Sequence, residues 1–226
     1  MITLFLPGMD GTGALFAPVT SRLAPGIEPR VCAYPEREAL DYDALLETIV
    51  VPEGPFAIVG ESFSGPLAIR LAHRYPDRVR ALVLVASFAK NPSLFPSWMV
   101  MIAAFFMRFA LSGFFLRLVL LGGEASASDV RSTRASIERV APSVMATRLR
   151  AVARVDVSAE LRATTMPLLY LAGRRDRLVG ARPRNHIARL RRDARIELLD
   201  APHMVLQQRP MLAAALLSEF LLDAAG

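Results

Sequence analysis

The chain has 226 residues, 53% of them hydrophobic, with a formal charge of +6 and a single cysteine. That length suits one domain with an insertion, and Cys32 alone excludes both an internal disulfide and a cysteine-based zinc set. The positive charge comes almost wholly from arginines dispersed along the chain, Lys90 being the single lysine, so it describes a solvated surface and no nucleic-acid partner is expected.

Met1-Ile-Thr-Leu-Phe-Leu lacks the basic start of a signal peptide, so a cytoplasmic location is expected, with no strand before the first one. Residues 2–6 read as a buried strand running into Pro7-Gly8-Met9-Asp10-Gly11-Thr12-Gly13. Such a glycine loop exposes backbone N–H groups that can hold a phosphate or a developing oxyanion, or it is merely a tight connection. Asp10 is expected to stabilise the turn. A helix is predicted over 14–23, a second strand over 28–33 with Cys32 buried as a small hydrophobe, and a helix over 42–50.

The stretch Pro55-Phe-Ala-Ile-Val-Gly60-Glu61-Ser62-Phe63-Ser64-Gly65-Pro66 is an apolar run that breaks on small residues and then takes up a helical pattern. It reads as strand, tight turn and helix, with Ser62 at the turn and its hydroxyl lifted clear of the sheet edge. The G-x-S-x-G pattern is imperfect, since its last position is Ser64 and the glycine follows. Ser64 is thus a rival nucleophile, but centring the turn on it would put Pro66 where a glycine belongs. His73 lies on the ensuing helix more than two turns from Ser62, too far to act as its base.

Residues 79–87 form another apolar run of strand character. Alternation of short apolar strands with helices points to a mainly parallel sheet covered on both faces. Between residues 90 and 165 the alternation stops and the chain looks helical throughout, which marks an inserted cap. Its first part, 94–121, is dense in apolar side chains, and Trp98, Met101, Phe105 and Phe106 are candidate substrate-binding residues there. The unbroken apolar stretch 94–107 is shorter than the roughly 20 residues a bilayer needs. A lid over the active site is expected rather than a transmembrane span, with weak lipid-surface contact through the cap left open. The second part, 126–162, is amphipathic and arginine-rich, as expected of a solvated face.

From Met166 the alternation resumes, with strands over 168–172 and 195–199, a helix over 182–190 between them, and a final helix to about residue 222. Ligands of open α/β sheets bind outside the carboxyl ends of the strands, where the Gly8–Gly13 loop, Ser62, Asp176 and His203 all fall. His186, inside a helix, is a poor alternative base; Asp193 lies in a polar turn and Asp200 immediately precedes the histidine loop.

Over nearly its whole length the sequence resembles the α/β-hydrolase superfamily. Gly60-Glu-Ser-Phe-Ser-Gly65 resembles its nucleophile elbow, Gly173-Arg-Arg-Asp176-Arg-Leu-Val its acid loop and Ala201-Pro-His203 its histidine loop, in the order Ser, Asp, His. The 7–13 loop is similar to its oxyanion loop, with proline in place of histidine. The resemblance implies an α/β-hydrolase fold with a mainly parallel sheet of about six strands, a core of 1–89 and 166–226, and a cap of 90–165. It further implies Ser62 as nucleophile, His203 as base, Asp176 as its orienting acid, and the N–H groups of Met9 and Phe63 as oxyanion donors. The expected activity is cleavage of a carboxylic ester or thioester carrying a hydrophobic group, without metal or cofactor. Transfer of an acyl group to an alcohol or lipid is the alternative, since the Leu6–Gly13 and Gly60–Phe63 stretches also resemble plant plastid acyltransferase-like proteins. A non-catalytic binding module on the same fold is a further alternative. The oligomeric state is left open.

Overall fold

The computed structural model describes residues 1–92 and 112–224. Trp98, Met101, Phe105 and Phe106 lie outside the described residues. Six strands form one sheet: β1 (Ile2–Leu6), β2 (Glu28–Val31), β3 (Phe56–Glu61), β4 (Val79–Val85), β5 (Leu168–Gly173) and β6 (Arg195–Leu199). Their order is β2-β1-β3-β4-β5-β6 and every neighbouring pair is parallel. The fold is the α/β-hydrolase arrangement expected from the sequence.

The apolar runs of β1, β3, β4 and β5 become inner strands because both of their faces must be covered. Alternate residues point to opposite sides. Leu4, Ile58, Leu82 and Leu168 are paired across the sheet and share one core with helices α2 (Tyr42–Thr48) and α3 (Gly65–Arg74). Their neighbours Phe5, Val59, Val83 and Leu169 are paired likewise and belong to the other core, against the C-terminal helix. The polar edge strand β2 tolerates Pro29, which has no N–H to give a ladder.

Two expected helices are broken by proline. The segment 14–23 is a 3₁₀ turn, Ala14–Phe16, followed by the one-turn α1, Ala17–Thr20. Pro18 cannot donate back to Ala14 and so prevents one continuous helix. The last helix is divided at Arg209 into Val205–Gln208 and Pro210–Asp223, because the residue before a proline is pushed out of helical conformation.

The segment read from the sequence as an insertion lies between β4 and β5. Its described part contains α4 (Gly113–Leu116), a π turn (Arg117–Leu121), α5 (Ala127–Glu138) and α6 (Pro142–Arg154). Ser126 and Asp129 close a reciprocal capping box that starts α5. Where the segment departs and re-enters, the Asn91 N–H donates to Val155 O at 3.0 Å and the Val157 N–H to Ala89 O at 2.8 Å. Lys90 and Asp156 form an ion pair at the same place. The chain then forms α7 (Ser158–Ala163), β5, and α8 (Ala181–Leu190) between β5 and β6. Among the described residues no helix is long and apolar enough to cross a membrane.

The turn after β5 passes unusually close to the turn after β6. A Cβ at Gly173 would sit 2.2 Å from the carbonyl oxygens of both Ala201 and Pro202. Backbone cannot yield as a flexible side chain would. Gly173→Ala is therefore expected to lower stability by at least about 1–3 kcal/mol, read as a shift in the urea midpoint. An unchanged midpoint would contradict this close approach.

Candidate active site

β3 delivers Ser62 to the carboxyl edge of the sheet, and the chain turns there so tightly that Ser62 takes a left-handed φ of 49°. Gly60 and Gly65 permit the turn. A Cβ at Gly60 would lie 2.7 Å from the Ala68 Cβ, and one at Gly65 would lie 1.8 Å from the Ser87 Oγ. Ser87 itself donates to the Ser62 carbonyl at 2.5 Å, fixing the strained peptide from the end of β4. The glycine at 65, one place later than the usual pattern, is thus required by the neighbouring strand.

Ser64, the rival nucleophile, is fully buried. Its hydroxyl donates to the Pro7 carbonyl and lies 2.6 Å from the Tyr34 hydroxyl, which leaves Tyr34 as the donor to Ser64. Its work is to join the elbow to the loop after β1. The Ser62 hydroxyl, by contrast, is 3.0 Å from His203 Nε2, and His203 Nδ1 is 2.9 Å from Asp176 Oδ2. The structure therefore brings together the three side chains expected from the sequence. His203 is 5% exposed and the Asp176 side chain 3%, so bulk water does not compete strongly for these bonds.

Asp176 keeps its charge in spite of that burial. Desolvation pushes its carboxyl upward, but the His203 hydrogen bond and charge, with the N–H groups of Val179 and Leu178 on Oδ1, hold it below the ordinary value. It can therefore accept from Nδ1–H and leave Nε2 as the acceptor that faces Ser62.

The competing candidates are occupied elsewhere. His73 is exposed in the last turn of α3. His186 Nε2 is 2.9 Å from Ser158 Oγ. Asp193 pairs with Arg191 and Asp200 with Arg175. Burial pushes the Cys32 thiol up to about 11, which keeps it in the unreactive neutral form at neutral pH.

The loop after β1 lies against this centre. Gly11 N–H donates to Gly8 O at 3.0 Å, closing a turn with Met9 and Asp10 at its centre. That bond does not use the Met9 N–H. Phe63, second in the 3₁₀ turn Ser62–Ser64, has an N–H in the first turn of a helix, where no intrahelical acceptor exists. Asp10 Oδ2 accepts from the Thr12 N–H at 3.0 Å, the Thr12 hydroxyl at 2.6 Å and the Ser136 hydroxyl of α5 at 2.8 Å. Asp10 thus stabilises the turn, as expected, and also ties it to the inserted segment.

Sequence reasoning missed several residues around the centre. Tyr42 donates to the Phe63 carbonyl at 2.8 Å, and its ring stacks on Phe63 at 4.7 Å between centroids. Arg148 of α6, expected on a solvated face, is 1% exposed and reaches the 7–13 loop. Periodicity could not single it out among the many arginines of that stretch. Among the described residues no cluster of His, Cys, Asp and Glu could hold a metal ion.

Glu61 was legible only as the residue before the nucleophile. Burial raises its carboxyl to about 7, against the pull of the Gln207 amide that donates to it at 3.0 Å; the Asp10 charge raises it further and His203 lowers it. Because the folded value lies above the ordinary 4.5, the contribution to stability is complete below about pH 4.5 and is lost as pH rises through about 7. The loss is on the order of 3 kcal/mol. Glu61→Gln is expected to flatten the fall in stability between pH 5 and 8, measured by urea unfolding across that range. Parallel pH profiles for the two proteins would contradict a buried neutral carboxyl.

Comparison with known proteins bears on the family and the fold. The family model described as serine aminopeptidase, S33 (Hydrolase_4) matches residues 36–206. The chain is 32% identical over 137 residues to a pimeloyl-[acyl-carrier protein] methyl ester esterase of Nitrosomonas europaea, covering 54% of each chain. It is 32% identical over 101 residues to phytyl ester synthase 1 of Arabidopsis thaliana, a match spanning 39% of this chain and 14% of that one. The chain thus spans about half or less of the length of these relatives. Among solved structures, an enol-lactonase of Burkholderia xenovorans superposes with a TM-score of 0.85 at 16% identity, covering 98% of this chain and 91% of that one. At that identity the likeness concerns the fold.

Proposed function

The chain belongs to the serine aminopeptidase (S33) family of α/β-hydrolases, and on that premise we propose that it cleaves a carboxylic ester or thioester through an acyl-enzyme on Ser62. The observation that carries this is the unbroken line from Ser62 Oγ through His203 to Asp176, at 3.0 and 2.9 Å. The relative named as a methyl ester esterase supports the ester class.

In the first half-reaction His203 Nε2 takes the Ser62 proton as Oγ attacks the substrate carbonyl carbon. The negative charge that develops on the carbonyl oxygen is met by the N–H groups of Phe63 and Met9. His203, now an imidazolium stabilised by Asp176, returns the proton to the leaving alkoxide or thiolate, and the acyl group stays on Oγ. Water then repeats the sequence: His203 takes its proton, the hydroxyl attacks the acyl carbon, and Ser62 recovers its hydrogen as the acid departs. No metal or cofactor takes part in these steps.

A hydrophobic group on the substrate is supported by the apolar cluster of Leu116, Leu121, Val130 and Met204, which brings inserted-segment residues beside the residue after His203.

Acyl transfer to an alcohol is a second reading, favoured by the match to a phytyl ester synthase. The two differ only in what attacks the acyl-enzyme. With a p-nitrophenyl ester as donor, rising long-chain alcohol would divert product from free acid to new ester if transfer is the activity. Free acid alone would decide for hydrolysis.

Ser62→Ala is expected to cut kcat by about 10⁴–10⁶ on any accepted ester and to abolish labelling by a fluorophosphonate, while the protein stays folded. A panel of p-nitrophenyl and acyl-thioester substrates of graded chain length tests the reading. No turnover of any, together with no labelling of the unmodified protein, would sink it.

A further inference from the structure

The Arg148 guanidinium belongs to the inserted segment yet is spent entirely on the core. It is 1% exposed, the largest side chain so completely buried among the described residues. Nη1 donates to the Met9 carbonyl at 2.7 Å and Nη2 to the Pro35 carbonyl at 3.0 Å. The guanidinium also lies 5.6 Å from the centre of the Tyr34 ring, whose hydroxyl reaches Ser64 beside the nucleophile. Among the described residues it forms no salt bridge, and its Nε has no hydrogen-bond partner. Burying a cation without a directly paired carboxylate is costly, and the two carbonyl dipoles, the aromatic face and the charges of Asp10 and Glu36 offset only part of that, so burial still lowers its pKa. An apolar side chain could fill the space but would leave the Met9 and Pro35 carbonyls without these donors.

The loop is shaped around this group. Gly11 has a φ of 70°, and a Cβ there would lie 2.6 Å from Arg148 Nη1. The Gly11 carbonyl in turn accepts from the Tyr34 N–H at 2.7 Å. The guanidinium fork thus fixes two chain segments, the turn after β1 and the chain after β2, in one plane from a third element. Lysine could not hold both carbonyls in that way.

We infer that Arg148 is a positioning residue for the oxyanion donor: by holding the Met9 carbonyl it sets the orientation of the turn whose Met9 N–H faces the developing charge. The inference rests on the ester-hydrolase reading above. Oxyanion donors act on a charge that exists only in the transition state, so a turn free to swing should leave substrate binding nearly intact while slowing the chemistry. An error of about 1 Å in such a group costs on the order of 10²-fold in rate.

The test compares Arg148→Met and Arg148→Lys with the wild type on the best p-nitrophenyl ester, and with a trifluoromethyl ketone analogue whose hemiketal oxygen occupies the oxyanion position. Arg148→Met is expected to lower kcat by about 10–100-fold with KM within about twofold, and to weaken the ketone by the same factor as kcat. Arg148→Lys, holding one carbonyl, should fall between the two and serves if the methionine variant does not fold. A wild-type kcat in the lysine variant, or a loss in either variant confined to KM, or ketone affinity unchanged while kcat falls, would overturn the inference. A wild type that neither turns over esters nor takes the fluorophosphonate label would instead overturn the ester-hydrolase reading, and this inference with it.

Discussion

A serine held at a φ of 49° carries strain of about 1–3 kcal/mol, and the surrounding chain must over-determine it. Three features do so here. Gly60 and Gly65 leave no side chain where strand and helix converge, Ser87 grips the Ser62 carbonyl, and Tyr42 grips the carbonyl of Phe63. Relaxation of the elbow would break both hydrogen bonds within a dry core. The strain at Ser62 is therefore maintained by groups from α2 and from the turn just after β4 as much as by the elbow itself.

The same logic explains why polar side chains are concentrated beneath the site in an otherwise apolar core. Ser64, Tyr34, Asp10, Thr12 and Arg148 join loop to loop by directional bonds. Apolar packing would keep those segments close but would not fix the direction of a peptide N–H, and catalysis by hydrogen-bond donation depends on direction. Glu61 is the exception, since burial raises its carboxyl and so lessens the second negative charge beside Asp10, while it still accepts from the Gln207 amide.

The sheet was legible because the inner strands β1, β3, β4 and β5 are nearly continuous apolar runs, and the pairing follows from alternation once they are placed in order. Ser62, Asp176 and His203, which the structure brings together, each stood out in the sequence because each follows a strand at a recognisable turn. Helix breaks at Pro18 and Pro210 were missed where hydrophobic periodicity was given more weight than the missing N–H. Arg148 was illegible for a different reason. A buried arginine and a solvated one share the same place in an amphipathic pattern, and only the loop that folds back over it, with Gly11 yielding room, tells them apart. Ser64 was read as a rival for the chemistry because sequence gives its spacing but not the acceptor already waiting at Pro7.

The inserted segment departs at Ala89–Asn91 and rejoins at Val155–Val157, where the two strands of chain are already bonded to each other. Such a detour is topologically neutral: it could lengthen, shorten or be exchanged over evolutionary time without disturbing the order of β4 and β5. The freedom stops at α6, because the guanidinium that reaches the turn after β1 makes one helix of the detour a working part of the core, and a detour exchanged from another lineage would have to bring its own substitute.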